Sequence, residues 1–138
     1  MMISTRGRYA LRVMLYLAEH GNGEKVPMKE VAKTEELSLK YLEQILPVLT
    51  KNGLIEGVHG KGGGYKLTRK PEQYTVEEIL RHTEGSLAPV ACMDGSTICE
   101  RAAKCKTLPM WSELDEVVGA YLSGITLYDL MTGDKWKK

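Results

Sequence analysis

The three cysteines of this 138-residue chain, Cys92, Cys99 and Cys105, all fall within fourteen residues. Thiolates bind iron–sulfur clusters and zinc, and free thiols can be oxidised reversibly. Six residues separate the first two cysteines, and five separate the second from the third. Because this spacing lacks the Cys-x-x-Cys pair of common structural zinc sites, zinc is the less favoured metal. The segment predicts metal or redox chemistry, with a cluster, zinc and reactive thiols left open.

The compartment follows from the same cysteines and from hydropathy. An odd number of cysteines argues against a disulfide framework. The first twelve residues lack the apolar core of a signal peptide, and no apolar run approaches the roughly 18 residues of a membrane span. We therefore expect a cytoplasmic protein without membrane contact, since reducing conditions keep thiols free.

Capping residues and helical periodicity predict three helices before the cysteine segment. Small polar residues begin such helices, proline fits the first turn, and glycine ends them. A brief turn at Glu36-Leu37 separates the second helix from the third. Two short helices joined in this way form a helix-turn-helix. The boundary signals lie at Ser4 or Thr5, Gly21, Pro27, Ser38 and Asn52-Gly53.

Two short strand-like runs follow, at 54–58 and 65–67, and a glycine-rich segment from His59 to Gly64 joins them. Glycines at this density favour a tight turn or a close backbone approach, so we predict a β-hairpin wing. A nucleotide phosphate loop is disfavoured, because no Lys-Ser/Thr pair follows and the glycines do not lead into a helix.

The C-terminal half contains two more helical patterns around an irregular segment. Thr75 and Glu78 form a capping-box pattern for a helix that ends near Gly85. From Pro109, a long helix carries apolar residues at three- and four-residue spacing. They are Leu114, Val117, Val118, Tyr121, Leu122 and Ile125. The same helix of a second copy is the expected cover, giving a two-fold dimer, and packing back on the chain's own domain is the alternative.

These elements predict a mainly α (α+β) fold, a winged helix-turn-helix with a long C-terminal dimerisation helix. We expect a DNA-binding domain at 1–85, a cysteine-containing sensory loop at 86–108, and the dimerisation helix with its tail at 109–138. Residues 1–70 carry twelve Lys and Arg against seven Asp and Glu, whereas residues 71–138 carry seven against eleven. The basic half can therefore approach phosphates, and the acidic half would be repelled by them.

Exposed residues of the third helix are the candidate base-reading groups, because a recognition helix enters the major groove by its first turns. The glutamine amide pairs with adenine, lysine donates to guanine or phosphate, and glutamate accepts from cytosine. A merely solvated polar face is the alternative. In the wing, glycines permit close approach to the minor groove, and two arginines of the first helix can contact phosphate. The candidate DNA-binding residues are Arg6, Arg8, Ser38, Lys40, Tyr41, Glu43, Gln44, Lys51, His59, Lys61, Gly62 and Gly63.

Five segments together resemble the IscR, NsrR and CymR type of winged-helix transcription regulators, also called the Rrf-two family. The segments are Ile3–Ala10, Leu39–Gln44, Lys51–Leu54, Gly62–Tyr65 and Ile125–Leu130. The resemblance implies a homodimer on a pseudo-palindromic operator, most similar in pattern to the IscR-like members. It also implies that Cys92, Cys99 and Cys105 hold an iron–sulfur cluster, of the two-iron two-sulfur type, as the cofactor.

The fourth ligand of such a cluster departs from the family's patterns. IscR-like members place a histidine three residues after the third cysteine, where this chain has Leu108. NsrR-like members take an acidic residue near the first helix of the other subunit, where this chain has Arg8. The fourth ligand is thus unassigned, and the nearby candidates are Asp94, Glu100 and His82.

Three other functions are weighed against the cluster-bearing regulator. A CymR-like regulator without a cluster would sense thiol redox state or a protein partner, with Lys104 and Lys106 lowering the pKa of Cys105. An enzyme is disfavoured, because the sequence lacks Ser-His-Asp, paired-carboxylate and metal-hydrolase spacings. An electron carrier would have no use for a basic recognition helix.

Overall fold

The computed structural model describes residues 3–60, 62–93 and 100–137. Short 3-10 turns at Pro71–Gln73, Ala91–Met93 and Asp134–Trp136 accompany the regular elements. The elements in chain order are α1 (Thr5–His20), α2 (Met28–Thr34), α3 (Leu39–Lys51), β1 (Ile55–Val58), β2 (Gly64–Leu67), α4 (Val76–Glu84), α5 (Leu108–Ser123) and α6 (Leu127–Thr132). The predicted helix-turn-helix, wing and long later helix are all present.

The predicted caps begin the helices at the expected residues. The hydroxyl of Ser4 accepts a hydrogen bond from the backbone N–H of Gly7, and that of Ser38 accepts from Tyr41, each at 3.3 Å. Thr75 caps α4 by accepting from the N–H of Glu78 at 3.1 Å. The capping box predicted there is wrong in its second half, because the Glu78 carboxylate pairs with Arg69 instead, at 2.7 Å.

The main core surrounds α1 and α3 and is closed by a buried tyrosine. Val13 and Met14 of α1 and Leu42 of α3 are fully buried in one cluster. Tyr74, also fully buried, donates a hydrogen bond from its hydroxyl to the carbonyl of Leu54 at 2.7 Å. The same hydroxyl accepts backbone N–H bonds from the chain that leaves β2, so the wing is fixed to the helical core.

The wing is a two-stranded antiparallel hairpin in which Ile55 lies opposite Leu67 and Val58 opposite Gly64. Val26 extends it through a single bridge, exchanging backbone hydrogen bonds of 2.8 and 2.9 Å with Tyr65. This approach explains one glycine of the wing: a Cβ on Gly64 would lie 2.5 Å from the carbonyl oxygen of Val26. Any larger residue there would push the wing away from the domain.

The C-terminal segment differs from its prediction. The helix begins at Leu108, one residue before Pro109, and ends at Ser123, so Ile125 does not belong to it. After Gly124 the chain turns back, and Thr126 and Asp129 form a capping box that begins α6. Ile125 accepts a hydrogen bond from the N–H of Val76 at 2.8 Å and is 4% exposed. Ile125 fits the apolar spacing of the long helix because it is a buried residue. It packs against α4, however, and does not lie on the long helix.

Removing the side chain of Leu127 is expected to destabilise the whole DNA-binding domain. Leu127 is fully buried in the main core, although it lies 42 residues after Gly85. The substitution Leu127→Ala should lower the free energy of unfolding by about 2–5 kcal/mol, since it leaves a cavity. Urea unfolding followed by circular dichroism measures this change. The adjacent, exposed Tyr128→Ala is the control, and an equal loss in both variants would contradict the packing of α6.

Candidate nucleic-acid interface

The turn between α2 and α3 sets the position of the helix that would enter DNA. Glu36 adopts a left-handed conformation at φ 55°, and Leu37 is buried after it. The guanidinium of Arg12 on α1 donates a hydrogen bond to the carbonyl of Glu35 at 2.6 Å, so α1 stabilises this turn. The helix-turn-helix is therefore fixed by contacts from a third helix.

One face of α3 is exposed beside this turn. Lys40, Glu43, Gln44 and Lys51 are exposed, as is the capping residue Ser38. The opposite face is buried, at Leu42, Ile45, Leu46 and Leu49. A helix with one apolar face presents its polar residues together, so five candidate DNA-binding residues share an accessible surface.

Tyr41 differs from its neighbours on α3, because it is half-buried. Its ring lies edge-on to the ring of Tyr9, with centroids 5.5 Å apart and planes at 86°. The guanidinium of Arg12 lies 5.7 Å from the centroid of Tyr9 on α1. Aromatic pairs of this geometry contribute about 0.5–1.5 kcal/mol beyond area burial, so Tyr41 joins the recognition helix to α1.

The wing lies next to the C-terminal half of α3 and forms a groove of about 490 Å³ with it. Pro47 and Thr50 line the groove from α3, and Glu56, His59 and Tyr65 line it from the wing. Gly62 is exposed at the wing tip and has φ 75°, a conformation that favours glycine. Lys61 lies outside the described residues.

Gly63 makes the tight turn and close backbone approach that the glycine-rich sequence predicted. It is half-buried, and a Cβ there would overlap the carbonyl oxygen of Val58. The backbone N–H of Gly63 also donates to the carbonyl of Gly60 at 2.9 Å, which closes the turn. The wing therefore requires glycine at this position whether or not DNA is bound.

The two arginines of α1 lie in its first turn, and both are exposed. The guanidinium of Arg8 donates to the hydroxyl of Thr5 at 3.1 Å. Arg6 and Arg8 thus remain available to an anion from solvent, as a phosphate contact requires.

Two of the three cysteines are described, and both are free thiols: Cys92 is exposed and Cys105 half-buried. Cys99 and Asp94 lie outside the described residues, as part of 94–99. Among the residues that are described, no three His, Cys, Asp or Glu side chains lie close enough together to hold a metal ion. Glu100 and His82 are both exposed, His82 on α4.

The surroundings of Cys105 favour its thiolate. Its sulfur lies 3.3 Å from the hydroxyl oxygen of Thr107. Hydrogen bonding with the Thr107 side chain, then with the backbone at Thr107, lowers the pKa of Cys105, and the charge of Arg101 adds to this. The lowered pKa was expected from Lys104 and Lys106, but Thr107 is its largest cause. A thiolate is the form that binds metals and attacks disulfides.

A comparison with protein families decides which class these features belong to. The model of the Rrf2 family, described as "Iron-dependent Transcriptional regulator", matches residues 3–133. This chain belongs to the Rrf2 family. The resemblance drawn from the five sequence segments is confirmed, and so is the winged-helix fold.

Relatives within the Rrf2 family span almost the whole chain. Protein rrf2 of Nitratidesulfovibrio vulgaris is 37% identical over 131 residues, which cover 95% of this chain and 87% of that protein. Among solved structures, CymR (YrzC), the global cysteine regulator of B. subtilis, has a TM-score of 0.78 and 33% identity, covering 96% of this chain and 97% of that one. IscR of T. potens has a TM-score of 0.77 and 30% identity, covering 100% and 92%.

Rrf2-family membership makes this chain a DNA-binding transcriptional regulator. Both regulators named among the solved structures share the fold, so the fold does not distinguish the cluster-bearing prediction from the cluster-free alternative. Within the described residues, no helix is long and apolar enough to cross a membrane.

Three residues that lie next to candidate site residues were not predicted from the sequence. Thr107 is the hydrogen-bond partner of Cys105, and its position two residues away was an available signal. Tyr9 orients Tyr41 from another helix. Lys25 places its ammonium 3.8 Å from where a Cβ on Gly62 would lie, adding a cation to the wing. No sequence pattern connects Tyr9 with Tyr41 or Lys25 with Gly62.

Proposed function

We propose that this Rrf2-family chain is a homodimeric repressor that acts in the cytoplasm and binds a pseudo-palindromic DNA operator. The observation that carries the proposal is the exposed face of α3, where Lys40, Glu43 and Gln44 stand beside the wing. Lysine is a hydrogen-bond donor, glutamate is an acceptor, and the glutamine amide is both. Together they can bond to the edges of base pairs in the major groove. His59, Lys61 and the wing glycines approach the minor groove, and Arg6, Arg8 and Lys51 contact phosphates.

Selection from a randomised pool of duplex DNA tests this proposal directly, because it requires no knowledge of the operator. The purified protein should enrich one inverted-repeat sequence whose half-sites lie about one helical turn, or a multiple of it, apart. Recovery of duplexes without a shared sequence, at an affinity no better than for random DNA, would contradict it.

Gln44 and Lys51 should have different effects on DNA binding. Gln44→Ala is expected to weaken binding to the selected operator by about 1–3 kcal/mol while hardly changing the affinity for random duplex. Lys51→Ala should weaken both to a similar degree and lower the slope of log affinity against log salt by about one. Fluorescence anisotropy at several salt concentrations measures both. Equal weakening of both duplexes by Gln44→Ala would show that α3 does not read bases through it.

The homodimer is proposed on the exposed apolar residues of α5. Met110, Leu114, Val117 and Tyr121 are 53%, 38%, 58% and 56% exposed, and their spacing of four, three and four residues places them in one stripe. None of the sixteen residues of α5, all of them described, is buried. Packing on the chain's own domain therefore leaves this stripe uncovered, and the same stripe of a second copy supplies a matching surface.

We further propose that Cys92, Cys99 and Cys105 hold a two-iron two-sulfur cluster. The donor set fits in part: Cys92 and Cys105 are free and accessible, and the lowered pKa of Cys105 favours the thiolate that iron requires. A fourth ligand is unassigned, because Leu108 is apolar and Arg8 carries a positive charge. When bound, the cluster would add redox chemistry and sensitivity to iron supply.

The proposed control of DNA binding is a two-state change in the loop 91–107. This loop lies between α4 of the DNA-binding domain and α5 of the proposed dimer interface. A change in thiol ligation would reorganise the loop and shift the two α3 helices of the dimer relative to each other, which alters their match to the operator half-sites. Cysteine-to-serine variants with unchanged DNA affinity and selectivity would contradict this mechanism.

The second candidate is a regulator of the same fold without a cluster, which senses thiol redox state or a protein partner. The absence of a fourth ligand at Leu108 and at Arg8 favours it, and CymR, the global cysteine regulator of B. subtilis, is a relative of this fold. The accessible thiols of Cys92 and Cys105 would then be the sensing groups. Zinc in place of the cluster is less favoured by the cysteine spacing.

A further inference from the structure

Glu84, the last residue of α4, holds the N-terminus of α1 from outside that helix. Its carboxylate oxygen accepts a hydrogen bond of 2.7 Å from the hydroxyl of Ser4 and one of 3.0 Å from the backbone N–H of Ser4. Ser4 is the cap of α1, and its hydroxyl oxygen in turn accepts from the N–H of Gly7. The three groups form a chain of hydrogen bonds that ends on a negative charge, and such chains strengthen each member.

The absence of a side chain at Gly7 makes this contact possible. Gly7 is buried, and a Cβ at that position would overlap the carboxylate oxygen of Glu84. The same Cβ would lie 3.1 Å from a methyl group of Leu80 on α4. Glycine at position 7 therefore allows α4 to approach closely enough for Glu84 to reach the cap.

The charges of α1 explain how this contact stabilises the helix. The N-terminus of a helix carries a partial positive charge, which acidic residues normally offset in the first turn. The first turn of α1 has no acidic residue and instead carries Arg6 and Arg8. Two positive side chains at the positive end of a helix oppose its formation. The carboxylate of Glu84 supplies from α4 the negative charge that α1 lacks.

We propose that Glu84 is a positioning residue for DNA binding: it stabilises the first turn of α1 and so places Arg6 and Arg8 for contact with phosphates. The inference rests on the proposed function, which assigns those contacts to the two arginines. Gly85 and the segment 86–107, which contains the cysteines, follow Glu84 directly, so the residue also joins the cysteine segment to the DNA-binding end of α1.

The test compares variants on the duplex that the wild-type protein selects from a randomised pool. Glu84→Ala removes the charge and the oxygen that accepts both hydrogen bonds, whereas Glu84→Gln keeps an acceptor oxygen in a side chain of the same shape. Glu77→Ala is the matched control, because Glu77 also lies on α4 in an ion pair, but its partner is Arg81 on the same helix. The double variant Arg6→Ala/Arg8→Ala, alone and combined with Glu84→Ala, shows whether the effects share one path.

We expect Glu84→Ala to weaken DNA binding roughly three- to thirtyfold and Glu84→Gln to weaken it less, with Glu77→Ala unchanged. Glu84→Ala should also lower the salt dependence of binding, which reports lost phosphate contacts and which a purely structural defect would not change. In the protein that already lacks both arginines, Glu84→Ala should cause no further loss. Thermal unfolding of each variant confirms that the domain is folded.

Two results would contradict the inference alone, and a third would also contradict the proposed phosphate contacts. An unchanged affinity and salt dependence in Glu84→Ala would show that the contact does not position the arginines. A full additional loss in the protein without Arg6 and Arg8 would show that Glu84 acts independently of them. Unchanged binding by the arginine variant itself would contradict the proposed phosphate contacts, and the inference with them.

Discussion

A lysine in place of Val117 is expected to convert the proposed dimer into monomers and to weaken operator binding by at least about 100-fold. Val117 is 58% exposed in the middle of the stripe on α5, between Leu114 and Tyr121. In a two-fold interface each substitution occurs twice, so Val117→Lys would bury two ammonium groups against apolar surface without partners. Loss of the dimer removes the gain in affinity from binding both half-sites at once.

The choice of lysine separates assembly from electrostatics. An added positive charge favours contact with DNA, so a weaker complex cannot arise from repulsion by phosphates. Glu116→Lys is the control, because Glu116 is exposed and lies one residue, or about 100° around the helix, from Val117. Analytical ultracentrifugation should show monomers for Val117→Lys and dimers for Glu116→Lys. Dimers in both variants would place the interface elsewhere.

Residues with local signals could be placed from the sequence. Ser38 predicted the beginning of α3 and Asn52-Gly53 its end, because capping signals depend on neighbours within about one turn. The wing followed from glycines between two short apolar runs. Such local rules also placed Lys40, Glu43 and Gln44 on one exposed face, which is most of the candidate site on α3.

Ile125 shows where periodicity is insufficient. Its spacing from Tyr121 and Leu122 continues the helical pattern, although the chain turns at Gly124 and Ile125 packs with α4. Periodicity reports that a residue is buried, not which element it contacts. The pattern Thr126-x-x-Asp129 was a usable signal for a new helix, since it is a capping box.

Contacts between distant residues had no signal in the sequence. Glu84 and Ser4 are 80 positions apart, and the hydroxyl of Tyr74 bonds to a carbonyl 20 positions away. These contacts exist because the elements pack together, so they appear only once the fold is known. The residues that orient the candidate DNA-binding residues could therefore not be predicted from the sequence. The candidate DNA-binding residues themselves could be.

Replacing the three cysteines with serine is expected to remove the colour of the protein completely. Wild-type protein purified without oxygen should absorb visible light and contain about two iron and two sulfide per chain, as a two-iron two-sulfur cluster requires. The variant Cys92→Ser/Cys99→Ser/Cys105→Ser should contain neither, because a serine hydroxyl stays protonated where a thiol ionises. Thr107→Ala, which removes only the hydrogen-bond partner of Cys105, is the matched control and should keep iron and sulfide.

The result decides between the two proposed sensing mechanisms. Stoichiometric iron and sulfide, lost only with the thiols, would make the fourth ligand the next question, with Glu100 and His82 as the described candidates. Colourless, iron-free wild-type protein that still binds its selected operator would contradict the cluster. In that case mild peroxide should change the operator affinity of wild type but not of the triple variant, since the thiols would then be the sensor. Insensitivity to peroxide as well would leave a protein partner as the signal.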